Sequence, residues 1–387
     1  MKAKKLVRSL TVVLAAGLAL SSCKNDLEIN ADYDKTPVIY GLINQYDSIQ
    51  SFKITKTFIG DENPNTYAAI PDSSYFSEVS ATVTEGSSNR KFDLYPRVVT
   101  NKEPGTFFNP NQVIYQFAQR NIQSNYQYLN QESKYYFNAN LDGVEVSAET
   151  ALLFDASPGY FKSRGWLGIW NEHSTGLSFA NGEKLLDMTI EGRLPYRSKV
   201  AQLKMIFNYT DYLLVNGQRQ EEQHTLVYDF GQLIFDNPIT EATAMQEFVL
   251  TGGQFFNKIA TSVPDAANTP NLEFRMAGHC DFIFIAGNED FYYYRQVTQP
   301  SDDLNQDKPN FTNLSTGIGI IAARMELSLV DFLARSGENL YEAGRLSMKL
   351  NRATQHHLSR GLEGGTAAKG FCIDPEVANT PNEACQF

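Results

Sequence analysis

The pattern of hydrophobic and polar residues has a period of two from about residue 36 to residue 152. Such alternation is typical of β-strands that bury one face. It is clearest in residues 135–148, where Asp142-Gly143 separates two alternating stretches. Because Asp-Gly favours the tight primed turn of a hairpin, we predict a β-hairpin here. About seven short strands in this region predict an immunoglobulin-like β-sandwich.

The pattern changes after residue 152. Alternation on both sides of Asn216-Gly217 predicts a long β-hairpin. Apolar residues at helical spacing predict helices over residues 242–263, 327–334 and 340–353, the first kinked or split by its Gly-Gly pair. The expected fold class is therefore mostly β: an immunoglobulin-like sandwich, then an α+β domain with appended C-terminal helices.

The first 23 residues have the features of a secretory signal. Four basic residues precede a short apolar run over residues 10–20, and Ser21-Ser22-Cys23 follows it. The run is too short for a membrane-spanning helix, which needs about 20 apolar residues. The cysteine resembles that of the bacterial lipobox, which implies cleavage before Cys23 and a diacylglyceryl group on its thiol. An ordinary signal with a chance cysteine is the alternative.

Charge narrows the range of partners. Loss of residues 1–22 would leave 29 Lys and Arg against 44 Asp and Glu, a net charge near −15. Nucleic-acid binders need clustered basic residues, so we expect no nucleic-acid partner. Attachment to the membrane would depend on the acyl chains of Cys23, which contribute about 0.8 kcal/mol for each buried CH₂ group.

Length and pattern together divide the chain. Its 387 residues exceed the usual size of a single hydrophobic core, so two folded domains are expected. We predict a lipoprotein signal peptide at 1–22, an acidic tether at 23–35, an immunoglobulin-like β-sandwich at 36–152, a β-rich α+β domain at 153–325 and a helical extension at 326–387.

Three cysteines follow Cys23. A bond between Cys372 and Cys385 would close a short loop. Closing a short loop costs less conformational entropy than closing a long one, so we predict a disulfide between these two cysteines. Cys280 begins an apolar run and is expected to be a buried, unpaired residue.

No sequence motif indicates a catalytic or metal site. The five histidines form no His-Glu-x-x-His pair, and the chain has no Cys-x-x-Cys pair and no calcium loop. It has no Gly-x-Ser-x-Gly elbow, and Gly317-Ile318-Gly319 lacks the third glycine of a nucleotide-binding loop. A zinc site from His279, Cys280 and His356 is the remaining alternative. We therefore expect no catalytic residue, no metal, no cofactor and no enzymatic activity.

Clustered aromatic residues are candidates for ligand binding. Trp166 and Trp170 are the two tryptophans of the chain, and Tyr293 is the centre of a run of three tyrosines. Exposed rings of this kind could stack on sugars or peptides, whereas burial in the core is their ordinary alternative role.

Two parts of the chain carry a family resemblance. The first comprises residues 38–43, 52–57 and 79–84, which alternate in polarity. The second is the tyrosine run in residues 291–295, followed by Asn-x-x-x-Gly-x-Gly within residues 313–322. In this order they resemble a family of Bacteroidota outer-membrane lipoproteins of unknown function, with an immunoglobulin-like N-terminal domain and a β-rich C-terminal domain. The resemblance implies an outer-membrane location, commonly a β-barrel partner, and no catalytic residue.

Two further segments bear on this resemblance. The acidic residues 24–34 are similar to the stretch that marks such lipoproteins for the cell surface, although a solvated tether is the alternative. The C-terminal extension departs from the family pattern, and its basic residues could dock on an acidic barrel loop or simply be solvated. They are Arg345, Lys349, Arg352 and Arg360.

The sequence favours a non-enzymatic accessory lipoprotein of an outer-membrane β-barrel complex for transport, assembly or secretion. The alternative is a surface lipoprotein that binds a glycan or a peptide. In both cases lipidated Cys23 would hold the protein in the outer membrane, with the cell surface as the expected side and the periplasmic face as the alternative.

Overall fold

The structure is a computed structural model that describes residues 35–45, 47–58, 63–102, 104–118, 129–154, 161–164, 177–240, 245–298, 311–328, 347–360, 366–376 and 378. As expected, the fold of this part is mostly β. No helix within it is long and apolar enough to cross a membrane.

The first eight strands precede residue 152. They are β1 Pro37–Ile43, β2 Ile49–Lys56, β3 Val79–Glu85, β4 Lys91–Asp93, β5 Tyr95–Val99, β6 Gln112–Ala118, β7 Lys134–Leu141 and β8 Val144–Ala151. The later strands are β9 Phe161–Arg164, β10 Ala180–Asn181, β11 Lys184–Leu185, β12 Met188–Arg193, β13 Val200–Val215, β14 Gln218–Ile234, β15 Met245–Leu250, β16 Leu272–Gly287, β17 Ile318–Ser328, β18 Ser347–Lys349 and β19 Phe371–Cys372. The helices are α1 Pro64–Ala68, α2 Pro71–Ser74, α3 Gly252–Ser262, α4 Glu289–Thr298 and α5 Arg352–Arg360.

The largest sheet has ten strands. Its main path is β14-β13-β16-β17-β1-β2-β6-β5, and β18 and β19 also pair with β16. A four-stranded sheet has the order β4-β3-β7-β8, and smaller sheets have the orders β15-β12-β9 and β10-β11. The ten-stranded sheet therefore takes strands from both sides of residue 152.

Strand β1 connects the early and late strands of this sheet. It pairs in parallel with β17, with Val38 opposite Ile318, and antiparallel with β2. Gly319 in β17 has a φ of +127°, and a Cβ there would lie 1.8 Å from the carbonyl oxygen of Ile39. Glycine is required at this position because it tolerates the backbone conformation and leaves room for β1.

A buried aromatic cluster lies between the ten-stranded and four-stranded sheets. The ring of Phe52 in β2 stacks on that of Phe137 in β7, with centroids 5.8 Å apart. The ring of Phe92 in β4 stacks on that of Phe117 in β6 at 4.7 Å. Apolar burial of this kind is the main favourable term in holding two sheets face to face.

Both hairpin predictions are confirmed. Asp142 and Gly143 have φ values of 48° and 90° between β7 and β8, and Asn216 and Gly217 have values of 53° and 76° between β13 and β14. Positive φ at both central residues is the requirement of a type I′ turn, which these residue pairs meet.

The helix predicted over residues 242–263 is wrong in its first half. Strand β15 occupies residues 245–250, because Phe248 and Leu250 are buried while Val249 between them is exposed. The helix α3 begins only at Gly252, where Thr251 caps it by accepting a hydrogen bond from the backbone N–H of Gln254 at 3.1 Å. The Gly-Gly pair therefore marks a strand-to-helix junction.

The helix predicted over residues 340–353 is wrong over residues 347–351, whereas residues 352–353 are helical as predicted. Residues 347–349 form β18, which pairs with β16 between His279 and Asp281, and α5 begins at Arg352. Pairing with the edge of an existing strand outweighs helix propensity in so short a segment. Residues 340–346 of this prediction lie outside the described residues. Of the helix predicted over residues 327–334, residues 329–334 also lie outside them, and residues 327–328 belong to β17.

Candidate ligand-binding site

A cavity of about 490 Å³ lies over strands β1 and β2. Its floor contains Val38 and Tyr40 of β1, which lie opposite Thr55 and Lys53 of β2. The intervening residue Ile39 is fully buried in the core. Because side chains alternate along a strand, the floor is the face of the sheet that points away from that core. The volume is typical of a site for a small molecule.

Two segments outside the sheet build the walls. Ser74 and Tyr75 come from the end of α2, and Lys102 and Phe107 come from the connection between β5 and β6. The Tyr75 hydroxyl accepts a hydrogen bond from the backbone N–H of Val113 in β6 at 3.3 Å. This bond fixes one wall to the sheet.

The second wall has its own anchor. The Lys102 ammonium donates a hydrogen bond to the carbonyl oxygen of Phe108 at 2.7 Å, and the backbone N–H of Phe108 donates to the carbonyl of Ala68 in α1 at 2.8 Å. The loop is therefore tied to α1, which gives the cavity a defined shape.

The described lining of the cavity is positively charged although the chain is acidic. Three lysines line it, Lys53, Lys56 and Lys102, and none of its described lining residues is acidic. Burial, and secondarily the Lys53 ammonium, lower the pKa of Lys102 below its ordinary value. In the described residues Lys53 has no carboxylate at ion-pair distance. Two ammonium groups thus share one cavity without a compensating charge from the described lining.

Lys56 is held differently from the other two lysines. Its ammonium lies 5.7 Å from the centroid of the Phe76 ring, and its charge helps to lower the pKa of Asp142. Lys53 and Lys102 are therefore the stronger candidates for contact with an anion.

Aromatic rings form the rim of the cavity. Phe58 and Phe107 meet edge to face with centroids 6.4 Å apart, and Phe107 is 55% exposed. The Lys102 ammonium lies 5.4 Å from the Phe107 centroid. At the floor, Tyr40 meets Tyr294 of α4 edge to face at 5.5 Å. A mostly apolar wall with a few polar groups is typical of ligand sites.

The aromatic residues singled out in the sequence lie elsewhere. Trp166 and Trp170 fall outside the described residues. Tyr293 is 40% exposed on α4, where its hydroxyl donates to the Glu289 carboxylate at 3.3 Å and its ring lies 5.8 Å from that of Phe311. Tyr293 is not among the residues that line the cavity. Its role in ligand binding stays a prediction, while its neighbour Tyr294 supports the cavity floor.

The cysteines have distinct environments. Cys280 is fully buried and unpaired, as expected. Cys372 is disulfide-bonded, and its expected partner Cys385 lies outside the described residues, as does Cys23. His279 is exposed on β16 whereas Cys280 faces the core, so these two side chains do not converge on a metal. In the described part of the chain no group of three His, Cys, Asp or Glu residues could hold a metal ion.

One basic residue of the C-terminal extension is used within the fold. The Lys349 ammonium pairs with the Asp374 carboxylate at 2.9 Å and also contacts Glu376. The Lys349 charge is therefore balanced within the fold, and docking of the basic residues of the extension on a partner protein stays a prediction. Arg345 lies outside the described residues.

Among the carboxyl groups that the structure describes, Asp290 at the start of α4 has the pKa that departs most from its ordinary value. Burial raises its pKa to about 6, and the nearby charge of Glu289 adds to this effect. Asn313 donates a hydrogen bond to it, and Asn288 lies at 3.5 Å and also donates to Thr150 of β8 at 2.9 Å. The group thus belongs to the junction between α4, β8 and the segment before β17.

Comparison with known proteins adds no function to this geometry. No protein-family model matches the chain, and no curated protein matches it. The resemblance to the Bacteroidota lipoproteins stays a prediction. The cavity was missed from the sequence because its lysines come from segments far apart in the chain, although Lys53 and Thr55 mark the polar face of an alternating strand.

Proposed function

We propose that the chain is a non-enzymatic, lipid-anchored protein of the outer membrane that binds a ligand in the cavity over β1 and β2. The cavity itself carries this proposal. It combines a volume of about 490 Å³, an aromatic rim and three lysines, and it is bounded by walls that hydrogen bonds hold in place. The geometry thus favours the ligand-binding alternative.

The anchor is the second part of the proposal. The lipobox cysteine Cys23 precedes the first strand by a short acidic segment, so lipidation would place the cavity of β1 close to the membrane. Replacing the cysteine, as in Cys23→Ser, is expected to release the protein from the membrane fraction without loss of ligand binding.

A role as accessory subunit of a β-barrel complex is the second candidate function. Strand β5 is an edge of the ten-stranded sheet, and its Tyr95 and Val98 side chains are 67% and 64% exposed. Exposed apolar residues on an edge strand are typical of a protein-docking surface. A pull-down of tagged protein from gently solubilised membranes tests this role. A stoichiometric β-barrel protein would support it, and a solitary protein after mild crosslinking would refute it.

We also infer that residues 36–152 form an immunoglobulin-like sandwich. The strand order β1-β2-β6-β5 on one sheet and β4-β3-β7-β8 on the other supports this inference, as does the stacking of Phe52 on Phe137 between them. Such a scaffold commonly presents binding residues on loops, which agrees with a cavity walled by the connection between β5 and β6.

Ligand binding can be tested with an uncharged apolar probe. We expect N-phenyl-1-naphthylamine to bind the Cys23→Ser chain at one saturable site, measured by its fluorescence. Thr55→Trp should abolish this binding, because the indole would fill the cavity floor. Thr225→Trp, the same change at an exposed position of β14, should not. Absence of saturable binding, or equal binding by both variants, would refute the proposed site.

A further inference from the structure

We infer that the cavity selects small organic anions, in which a carboxylate, sulfate, sulfonate or phosphate group is joined to an apolar or aromatic body. This inference rests on the proposed ligand-binding function and specifies the chemical class of the ligand. It follows from two features of the site, the placement of its ammonium groups and the apolar character of its rim.

Lys53 places a positive charge on the floor of the cavity. It lies directly opposite Tyr40 in the antiparallel register of β1 and β2, on the face that points away from the core. Lys53 is not paired with a carboxylate in the described part of the chain. An ammonium group of this kind is available to a ligand, because it need not first leave an internal ion pair.

Lys102 brings a second ammonium group toward the same space. Its hydrogen bond to the Phe108 carbonyl occupies one of three N–H donors and leaves the others for a ligand. Both lysines line the cavity, and the Lys53 charge adds to the effect of burial in lowering the pKa of Lys102. Like charges held together in a partly desolvated site raise the free energy of the unliganded protein, and a bound anion would remove that cost.

The surrounding composition makes this concentration of positive charge significant. The chain carries 44 acidic and 33 basic residues, yet the described lining contains three lysines and no acid. The local excess of ammonium groups therefore favours an anionic ligand over a neutral or cationic one.

The aromatic rim of the cavity favours an apolar body on the anionic ligand. Phe58, Tyr75 and Phe107 offer ring surfaces next to the ammonium groups, and Phe107 is more than half exposed. Inorganic anions would leave these rings in contact with water. An anion with an apolar body would cover them and gain roughly 25 cal/mol for each Å² of apolar surface removed from water.

Two probes that differ by one sulfonate group test this inference. We expect 8-anilinonaphthalene-1-sulfonate to bind the Cys23→Ser chain at least about tenfold more tightly than N-phenyl-1-naphthylamine, which has the same rings without the charge. The affinity of the sulfonate should decrease as NaCl is added, whereas that of the neutral probe should not, because salt screens only the charged contact.

Substitution of the cavity lysines tests whether they cause the preference for the sulfonate. Lys53→Gln and Lys102→Gln should each weaken binding of the sulfonate by about tenfold, equivalent to about 1.4 kcal/mol, and change binding of the neutral probe by less than about twofold. Lys184→Gln, at an exposed lysine of β11, is the matched control and should change neither. The Lys53 side chain makes no hydrogen bond within the described residues, so its variant is informative even if Lys102→Gln disturbs the wall.

The outcomes separate this inference from the proposed function. Anion selectivity would be overturned if the two probes bound with equal affinity. It would also be overturned if Lys53→Gln bound each probe as tightly as the unsubstituted chain does. Either result would leave the proposed ligand binding intact. Failure of both probes to bind would overturn both.

Discussion

The side chains of Arg275 and Asp211 form a buried, two-point ion pair: Nε lies 2.8 Å from Oδ1 and Nη2 lies 3.1 Å from Oδ2. Arg275 also donates to the carbonyl oxygens of Pro264 and Lys369 and to the hydroxyl of Thr269. These contacts use all five N–H donors of the guanidinium. One side chain therefore ties two sheet strands, β16 and β13, to the segment after α3 and to the C-terminal segment.

Loss of this arginine should destabilise the protein strongly. In Arg275→Leu the buried Asp211 carboxylate would lose its two-point partner and keep only His224, whose Nε2 lies 3.6 Å from Oδ2, so we expect the free energy of unfolding to fall by about 3–5 kcal/mol. Urea denaturation measures the change. Arg219→Leu is the control, since the Arg219–Glu273 pair is about one-third exposed and should contribute less than about 1 kcal/mol. Equal losses in the two variants would contradict the structural role of Arg275.

A side chain at Gly319 should disrupt the pairing of β1 with β17. In Gly319→Ala the new Cβ would collide with the Ile39 carbonyl and the backbone conformation would be strained, which we expect to cost roughly 3 kcal/mol or more. Gly105→Ala is the control, because a Cβ at Gly105 would meet no atom within 4 Å. Thermal unfolding followed by circular dichroism compares the two. A melting temperature unchanged in Gly319→Ala would argue against the parallel pairing.

The stability of the protein should depend on the ionisation of Asp290. Its pKa in the folded state, about 6, lies above its ordinary value of 3.8, so the folded state binds the proton more tightly than the unfolded state. Proton binding by Asp290 therefore contributes to the stability of the fold. This contribution is fully present below about pH 4 and is lost as the pH rises through about 6. Asp290→Asn should therefore raise the melting temperature by a few degrees at about pH 7.5 and show a smaller gain at about pH 4.5.

The control for this pH dependence is Asp236→Asn, the same substitution at an exposed position. It should change the melting temperature by a similar, small amount at both pH values. If Asp290→Asn behaved in the same way, the burial of the Asp290 carboxyl would not control stability.

Cys280 should be chemically inert in the folded protein. It is fully buried, and burial raises the pKa of its thiol well above the ordinary value, so little reactive thiolate forms. Iodoacetamide should modify Cys280 only after denaturation, as mass spectrometry of tryptic peptides would reveal. Cys372 should stay unmodified until the disulfide is reduced. Rapid modification of Cys280 under native conditions would place it at the surface.

Local patterns predicted much of the β-structure, because strand periodicity and turn chemistry depend on neighbouring residues. Asp142-Gly143 and Asn216-Gly217 specify their hairpins through the positive φ that each turn requires. The segment around Phe248 was misassigned because helical and extended spacing are ambiguous over so few residues. Burial of Phe248 in the core, which favours the strand, is visible only in the fold.

By itself, the sequence determined the alternating strands, the hairpin turns, the buried character of Cys280 and the absence of familiar catalytic motifs. The tertiary structure decided the pairing of Val38 with Ile318, the ion pair of Arg275 with Asp211 and the presence of Lys53 and Lys102 in one cavity. The physical reason is distance along the chain. Periodicity and turn propensity are local, whereas long-range pairing is selected by the burial and hydrogen bonding of the whole fold.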